Sequence, residues 1–426
     1  MPNHDIFWHT LESEPKVSPT LTQDISTDIV IIGGGIAGLT AAYHLAEKGR
    51  SITLVEQDVC ASGASGKSSG FITPDSELEF GDLLERFGEE GATTIWNFGQ
   101  GGVDEIRRII QGHNISCDYR EDDSCFIALN KKGYTVVEDE YQKQQQFLHQ
   151  SSLYDKSTVT SIIGSNSYAG AVRFGKTFGI NPYNYCRSLK QIIEEKGVTV
   201  FEKTSVTAVN ADGVWANNHY IKAKIIVVCV DRFLPQLKIY PPKIYRVQTY
   251  LAVSAPLSSE VVSSLFPNGP LMVWDTSLIY QYFRIVAGNR LLVGASSLLK
   301  TYSKQDVKTP EYVIRKMEKY VHEKFNGIHI KFEYTWPGLL GITKDFFPIA
   351  GKHSDMPNVF YISGAAGLPW ATALGKYISE KIIDNRSDLD KYFSATRKFP
   401  VGNRIQKILG KPLSYAISHG ASKYFK

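Results

Sequence analysis

The spacing of the hydrophobic positions changes twice in the segment TDIVIIGGGIAGLTAAYHLAEKGRSITLVEQD. Residues 29–32 form a continuous branched run, typical of a parallel strand buried on both faces, and the run stops at Gly33. From Ile36 the apolar positions recur at intervals of three and four, at Leu39, Ala42, Tyr43 and Ala46. This period predicts a helix that ends at Gly49. A second branched run at residues 51–55 predicts another strand, which completes a strand, helix, strand unit.

Three glycines of this unit, Gly33, Gly35 and Gly38, form G-x-G-x-x-G at the turn from the first strand into the helix. They permit a tight turn, close approach of the backbone to a pyrophosphate, and close packing of the helix on the strand. The helix start, with Ile36 and Ala37, presents free N–H groups and a positive dipole end to the phosphates. We therefore predict a dinucleotide site at this turn.

Glu56 ends the second strand and stands 18 residues after Gly38. Its carboxylate can accept hydrogen bonds from both hydroxyls of a ribose, and its charge disfavours a 2′-phosphate. Glu56 and the neighbouring Gln57 are therefore predicted to contact a dinucleotide that lacks this phosphate.

A second glycine-rich loop, SGASGKSSGF at residues 62–71, follows directly. A nicotinamide domain has little use for such a loop, so its presence favours FAD. The string DIVIIGGGIAGLTAAYHLAEKG…ITLVEQD…GASGKSSG resembles the FAD-binding amino terminus of the D-amino-acid oxidase family. In that family the second loop wraps the pyrophosphate and the flavin side, which implies cofactor contacts for Ser65, Gly66, Lys67, Ser68 and Ser69. The family more usually carries Arg at the position of Lys67.

A later segment, GINPYNYCRSLKQIIEEKG, resembles the family's second contribution to the nucleotide domain. Asn181 can cap a helix that has Pro182 at its first position and Gly197 at its end. Strands are predicted to follow at residues 198–201, 204–210 and 224–230. The resemblance implies that the backbone of Val206 meets the adenine and that Cys229, with the two residues after it, closes over the pyrophosphate.

The third such segment, residues 336–383, contains a predicted strand at 359–362 and a helix that starts at Pro369. The amino terminus of this helix would point at the flavin pyrimidine edge, where its dipole stabilises the reduced ring. The residues predicted to contact the cofactor here are Gly338, Gly364, Gly367 and Leu368. We expect non-covalent FAD, because no Cys lies between Trp336 and Asp345 and GASGKSSG has no His.

These three returns predict an α/β fold, α+β overall, in which a Rossmann-type FAD-binding domain is interleaved with an antiparallel-sheet substrate domain. The predicted parts of the FAD-binding domain are residues 27–80, 151–235 and 335–390. The predicted parts of the substrate domain are residues 81–150 and 236–334, with a leader arm at 1–26 and a basic tail at 391–426.

Within the family, the segments FWHT, GINPYNYCRSL and YQYFRIVAGNRLLVGAS most resemble amine oxidases of the gamma-glutamylputrescine oxidase type. In the last segment Tyr280, Tyr282 and Arg284 alternate on one face of a strand before a turn at residues 287–289. We predict that the tyrosines hold an aliphatic amine and that Arg284 binds a substrate carboxylate. The alternative is an Arg284 paired with Asp275 or with another surface acid.

Two further aromatic residues are candidates for the substrate site. Trp370, in GLPW, would form an aromatic wall, and the alternative is a core tryptophan at a helix start. Tyr250, in QTYLAVSAPL, would lie on the same sheet as Arg284.

Together these features predict FAD-dependent oxidation of an amine or amino acid to an imine by hydride transfer to flavin N5. Hydrolysis of the imine and reoxidation of the flavin by oxygen or another acceptor would complete the cycle. Two alternatives stay open: a quinone- or carrier-linked dehydrogenase at a membrane surface, and a flavoprotein assembly factor without turnover.

The composition, 43% hydrophobic and 21% charged, is typical of a soluble globular protein. The longest uncharged apolar run, residues 29–43, is shorter than the roughly 20 residues of a membrane span, so no transmembrane helix is expected. No basic stripe interleaved with aromatic residues indicates a nucleic-acid partner. The five cysteines form no C-x-x-C pair, which predicts reduced thiols in a cytoplasmic protein and no metal site.

The last 36 residues contain eight Lys or Arg and no Asp or Glu, so the net charge of +4 comes from this tail and the rest of the chain is net negative. Two interpretations of residues 399–426 stay open, because an apolar stripe there is flanked by basic residues. One is weak, salt-sensitive attachment to an anionic membrane surface. The other, which the shortness of the stripe favours, is a helix packed on the protein's own body or on an acidic partner subunit.

Overall fold

The structure is a computed structural model that describes most of the chain. The described residues are 2–11, 16–46, 49–75, 77–148, 151–240, 244–277, 280–296 and 306–399, together with Val401, Gln406, Leu413, Ser414, Ile417 and Ser418. Most of the basic tail therefore lies outside the described residues.

Eighteen strands are assigned in the described chain, and they form two sheets of eight strands and one two-stranded ribbon. In chain order they are β1 (Ile25–Ile32), β2 (Ile52–Val55), β3 (Phe71–Ile72), β4 (Ser124–Ala128), β5 (Ser151–Asp155), β6 (Gly170–Phe174), β7 (Phe178–Gly179), β8 (Thr199–Phe201), β9 (Val206–Asn210), β10 (Gly213–Ala216), β11 (His219–Val228), β12 (Ile244–Ser254), β13 (Met272–Asp275), β14 (Tyr282–Val286), β15 (Arg290–Ser296), β16 (Phe332–Thr343), β17 (Ile349–Lys352) and β18 (Val359–Ser363).

The helices vary from one turn to more than nine turns. They are α1 (Ile36–Ala46), α2 (Ala64–Lys67), α3 (Phe80–His113), α4 (Lys131–Phe147), α5 (Pro182–Glu195), α6 (Ser259–Leu265), α7 (Glu311–Lys324), α8 (Leu368–Asp384) and α9 (Asp390–Phe393). The long helix α3 is kinked at Gly88, whose φ of 70° is non-helical. Within the described chain, none of these helices combines the length and the apolar character that crossing a bilayer requires.

Six strands of the first sheet have the order β17-β18-β11-β1-β2-β8, with parallel pairing from β18 to β8. The other two lie off this path, where β10 pairs antiparallel with β11 and with β9. Ile29 of β1 pairs with Ile225 of β11 on one side and with Ile52 of β2 on the other. Branched runs suit these positions because a strand covered on both faces has no polar side to expose. The predicted strand, helix, strand unit is therefore confirmed as β1, α1 and β2.

The start of α5 also forms as its sequence predicts. Pro182 occupies the first helical position, and the side chain of Asn181 accepts hydrogen bonds from the backbone N–H groups of Tyr183 and Asn184. This cap satisfies two amide groups that the first helical turn would otherwise leave without a partner.

The second sheet has the order β16-β12-β15-β14-β13-β4-β6-β5 and is antiparallel except for the pair β13 and β4. Its strands come from three distant stretches of the chain. Alternation along β12 places Val247, Thr249 and Leu251 on the face that lines a cavity between the two sheets. Tyr250 and Ala252 point the opposite way, into a separate core under α6 and α7.

Two of the predicted domain boundaries are corrected by this sheet. The sequence pattern assigns residues 151–235 to the FAD-binding domain, but β5 and β6 at the beginning of that range belong to the second sheet. It assigns residues 335–390 likewise, but β16 pairs along its length with β12 of the second sheet. The chain returns to the first sheet only at β17. Short strands without a glycine motif carry no signal of the sheet to which they belong.

The interleaved segments are joined at Asp231, just after β11. Its backbone has a positive φ of 46°, and its carboxylate accepts hydrogen bonds from the N–H groups of Gly341 (2.7 Å) and Gly364 (3.1 Å). The hydroxyl of Ser363 donates to the Asp231 carbonyl at 2.8 Å. One residue therefore connects the ends of β11, β16 and β18.

The leader arm is part of this packed structure. A short 3₁₀ helix, Phe7–Leu11, buries Phe7 and Trp8 completely or nearly so. The Trp8 indole N–H donates to the carbonyl of Ser68 at 2.9 Å, so the arm supports the second glycine-rich loop. Sequence patterns give no indication of this contact.

Candidate active site

A cavity of about 1110 Å³ lies between the two sheets and is lined by residues of both. One end is formed by the carboxyl ends of β1, β2 and β11, which is where open α/β sheets bind ligands. The other end is formed by β13, β14 and the segment between β3 and α3. The two ends differ in chemistry.

At the first end the glycine motif brings backbone elements unusually close. Gly33 has a φ of +108°, and a Cβ there would overlap the carbonyl oxygen of Cys229. A Cβ at Gly38 would overlap the carbonyl oxygen of Gly33. Gly35 lines the cavity itself, and a Cβ there would lie 3.1 Å from Ser65 Oγ. Gly33 thus permits the turn, Gly38 permits close packing of the helix, and Gly35 leaves space for a ligand in the cavity.

Glu56 lies on the cavity wall at the end of β2. One carboxylate oxygen accepts the Gly34 N–H at 2.7 Å and the other accepts the Asp58 N–H at 3.0 Å. Burial raises the pKa of Glu56, and these two hydrogen bonds oppose that rise. The side chain is therefore oriented by the backbone, with its remaining lone pairs available to a ligand.

The second glycine-rich loop is held by donors from distant parts of the chain. Besides the Trp8 contact with Ser68, the Trp336 indole donates to the Lys67 carbonyl at 3.0 Å, and Arg284 Nε donates to the Ser69 carbonyl at 2.9 Å. Ser65 Oγ accepts the N–H of Ile36 at the start of α1, at 3.0 Å. The loop is thereby fixed against the glycine motif.

These residues fit a dinucleotide cofactor. Ser68 lines the cavity, and its buried Oγ has no hydrogen-bond partner within the described protein, which indicates a polar ligand beside it. Lys67 also lines the cavity but is paired with Asp306 at 2.5 Å. The start of α8 completes this region, where Gly367 has a φ of +91° and precedes Leu368.

Most of the residues predicted to contact the cofactor lie on the wall of this one cavity. They are Gly33, Gly35, Ile36, Ala37, Glu56, Gln57, Ser65, Lys67, Ser68, Ser69, Val206, Cys229, Gly338, Gly367 and Leu368. Gly38, Gly66 and Gly364 do not line it. A Cβ at Gly66 would overlap the Ala61 carbonyl oxygen, and Gly364 bonds Asp231, so these glycines shape the loops.

Arg284 does not line the cavity, so the predicted grip on a substrate carboxylate is corrected. Its side chain is fully buried and donates to the carbonyls of Ser69 (2.9 Å) and Ile180 (2.5 Å). Burial lowers the pKa of Arg284 to about 10. Alternation predicts the face of β14 correctly, but the guanidinium lies beneath the second loop, not above it. Asp275 is not its partner either, since the Asp275 carboxylate accepts the Tyr320 hydroxyl.

Trp370 and Tyr250 are likewise corrected to core residues. The Trp370 indole donates to the Pro74 carbonyl at 3.0 Å and its ring packs against Phe98, Phe347 and Phe393. Tyr250 is fully buried on the far side of β12. Of the predicted substrate residues, only Tyr280 and Tyr282 lie on the cavity wall.

The second end of the cavity contains acidic residues that the sequence reasoning missed. We call this end the acidic chamber; its lining is Phe71, Asp75, Glu77, Glu79, Asp82, Phe126, Trp274, Asp275, Tyr280 and Tyr282. A signal was present in DSELEFGD, where acids alternate with apolar residues after β3. Such alternation places the acids on one side and Leu78 and Phe80 in the core.

Comparison with known proteins agrees with this geometry. The profile of a family described as FAD dependent oxidoreductase matches residues 28–381. The probable oxidoreductase OrdL of Haemophilus influenzae is 27% identical, over 95% of this chain and 94% of its own length. Gamma-glutamylputrescine oxidoreductase of Escherichia coli is 26% identical, over 92% of this chain and 93% of its own length.

Among solved structures, glycine oxidase from Geobacillus kaustophilus superposes with a TM-score of 0.76. The match covers 89% of this chain and all of that one, at 18% sequence identity, and it therefore establishes a shared fold.

Proposed function

The chain belongs to the FAD-dependent oxidoreductase family, and we propose that it oxidises the C–N bond of a small amine or amino acid. The proposal is supported by relatives whose names describe amine and amino-acid oxidation. It rests on one structural observation: the cavity that fits FAD continues, past the start of α8, into a chamber with aromatic walls.

The chain's own residues would hold and orient the two reactants. Glu56 would bind the ribose hydroxyls, and Gly35 with Ser65 and Ser68 would accommodate the pyrophosphate. FAD, when bound, supplies the acceptor for the two electrons and the hydrogen that leave the substrate. The start of α8 would place a positive dipole end beside the flavin.

Tyr280 and Tyr282 would exclude water around the amine. Their ring centroids are 5.8 Å apart, and Phe71 contacts Tyr282 with its edge, also at 5.8 Å. The aromatic residues would thus orient the chain of the substrate.

Anaerobic mixing of the purified holoprotein with a panel of amines and amino acids tests the proposal. We expect the yellow flavin absorbance to bleach with at least one class of amine, at a rate that saturates with substrate concentration. A flavin that stays oxidised with every amine would refute the proposal and favour a flavoprotein without turnover. The rate of recolouring in air, compared with that upon adding a quinone, identifies the electron acceptor.

For the tail we propose packing on the protein's own body, with no lasting membrane attachment. Ser414 and Ser418, two of its described residues, are buried, and the Tyr245 hydroxyl contacts the Ser418 hydroxyl at 2.8 Å and donates to the Ser414 carbonyl at 3.3 Å. Liposome flotation tests this. Full-length protein and a chain ending at Lys398 should both fail to float with anionic vesicles at low salt; flotation of the full-length protein alone would support the membrane alternative.

A further inference from the structure

The acidic chamber combines two features that each favour a cation. Its walls include Trp274, which is stacked with Phe126 at 5.8 Å between ring centroids, and the adjacent pair Tyr280 and Tyr282. Aromatic faces attract cations through their quadrupole, most strongly where water is excluded. The remaining wall carries the carboxyl groups of the segment between β3 and α3.

One of these carboxyl groups is left without a full set of partners by the described protein. Trp274 Nε1 donates to Glu79 Oε1 at 3.3 Å, whereas Glu79 Oε2 is buried and accepts no hydrogen bond. Glu140, just outside the cavity, shows the contrast, since its two oxygens accept the N–H groups of Phe80 (3.1 Å) and Gly81 (2.9 Å). Glu140 is satisfied by the start of α3, and Glu79 is not.

The described lining of the acidic chamber contributes no cation to Asp75, Glu77 and Glu79. The cations on the described cavity wall are Lys67 and Arg232, and both belong to the cofactor end, where Lys67 pairs with Asp306 and Arg232 adjoins Asp231. None of the described lining residues of the acidic chamber is Lys or Arg. Ionising the carboxyl groups of Asp75, Glu77 and Glu79 without a cation beside them is costly, so a cationic ligand is their natural complement.

The chamber adjoins the reaction centre that the proposed function requires. The carbonyl oxygen of Asp75 lies 3.9 Å from the Cβ position of Gly367, at the start of α8, and the Trp370 indole bonds the carbonyl of Pro74. The acidic segment is therefore fixed beside the helix end that would face the flavin. A substrate oxidised there would extend its other end among the carboxylates.

We propose that the acidic chamber binds a second, non-reacting cationic group of the substrate, so that the substrates are diamines and other amines carrying an additional positive charge. The oxidation of the bound molecule in this inference rests on the proposed function, whereas the binding of a cation in the chamber does not. Substrates with a carboxylate at the far end would be disfavoured by like charge.

A binding test examines the cation site independently of the proposed oxidation. The probes are choline, whose quaternary nitrogen has no lone pair to be oxidised as an amine, and its uncharged isostere 3,3-dimethylbutan-1-ol. We expect choline to perturb the flavin spectrum of the holoprotein with at least about tenfold higher affinity than the isostere. Glu77→Gln/Glu79→Gln should abolish this preference while keeping the structure, because the amide introduced in place of Glu79 still has an oxygen that can accept from Trp274. Glu89→Gln, on the exposed face of α3, is the matched control and should keep the preference.

A substrate comparison then tests the specificity. Three primary amines of similar length are 1,4-diaminobutane, pentylamine and 4-aminobutanoate, which end in an ammonium, a methyl and a carboxylate. The rate of anaerobic flavin reduction divided by Kd should fall in that order, and the double variant should lower this ratio by a much larger factor for 1,4-diaminobutane than for pentylamine. Equal binding of choline and its isostere, or a preference for 4-aminobutanoate, would overturn the inference. Cation binding without reduction by any amine would instead refute the proposed oxidation and leave the cation site standing.

Discussion

The two ends of the cavity would contact their ligands with different kinds of atoms. At the cofactor end the part expected to meet the pyrophosphate has little side-chain bulk, because Gly33 and Gly35 have no Cβ and Ser65 and Ser68 add only short hydroxyl groups. At the acidic chamber the wall consists of long aromatic and carboxyl side chains. Adding a side chain at the cofactor end should block cofactor binding, whereas removing a charge from the acidic chamber should change which ligands it prefers. The same kind of substitution should therefore have different effects at the two ends.

The largest expected effect is a side chain added at the cofactor end. Gly35→Val would fill the space beside Ser65 Oγ where the pyrophosphate is expected, so we predict protein that retains no FAD on gel filtration. Gly63→Ala is the matched control, since Gly63 lines the same cavity but a Cβ there meets no atom within 4 Å. A yellow, FAD-loaded Gly35→Val protein would show that the glycine motif is not the pyrophosphate site.

Arg284 lies beneath the second glycine-rich loop and outside the cavity wall, so replacing it should affect stability more than specificity. Arg284→Met leaves the buried carbonyls of Ser69 and Ile180 without donors, at about 1–3 kcal/mol each, so unfolding should require about 2–6 kcal/mol less free energy. Denaturant unfolding of the holoprotein measures this. Arg284→Lys should recover part of the loss because an ammonium can reach one carbonyl.

Substrate charge provides the second readout for Arg284. Catalytic efficiency of Arg284→Met should change by the same factor for a cationic and for an anionic amine. A selective loss with the anionic amine would restore the carboxylate role that its position beneath the loop excludes.

The contrast between the ends also explains what the sequence could predict. The cofactor end is built from a local unit, in which residues 29–56 contain the strand, the glycines and the acid at fixed spacing, so its wall could be assigned from pattern alone. The acidic chamber is assembled from segments that are close only after folding. Asp75 and Trp274, for example, are about 200 positions apart, and no periodicity connects them.

The errors at Arg284 and Tyr250 have one physical cause. Alternation along a strand predicts which side chains share a face, and it does so correctly for Tyr282 and Arg284. It does not predict what covers that face, and here Gly70 and Gly179 leave room for a guanidinium under the loop. For Tyr250, the outward direction follows from which of the alternating faces of β12 meets the cavity, and this depends on pairing with β16.

A medium effect is expected when charge is removed at the cofactor end. Glu56→Ala eliminates hydrogen bonds from a carboxylate to the ribose hydroxyls, each worth about 1.5–3 kcal/mol, so the Kd for FAD should rise at least roughly tenfold. Titration of FAD into apoprotein measures this, with Glu89→Ala as the control for loss of an exposed glutamate. Unchanged FAD affinity in Glu56→Ala would mean that Glu56 serves only Gly34 and Asp58.

The smallest expected effect is a pH-dependent change in stability at the acidic chamber, where removing a carboxyl group should stabilise the protein at high pH. Burial raises the pKa of Glu77 to about 7, the nearby Asp75 carboxylate contributes to that rise, and the Tyr280 hydroxyl opposes it. A folded-state pKa above the unfolded value means that the folded protein binds the proton more tightly. The stability contributed by this carboxyl group is therefore complete below about pH 4.5 and is lost as the pH rises to about 7.

Glu77→Gln should consequently make the protein more stable at pH 8, on the order of 1–2 kcal/mol after allowance for the partial exposure of the side chain, and should leave it unchanged at pH 4.5. Thermal unfolding across this range measures the difference, with Glu89→Gln expected to follow the wild type at every pH. Choline should stabilise the wild type more at pH 8 than at pH 5, because the ionised carboxylate is the form that attracts it. A Glu77→Gln protein that is less stable than the wild type at pH 8 would show that this carboxylate supports the fold. The Glu77 carboxylate would then have a structural role, and the contrast between the two ends of the cavity would not hold for this residue.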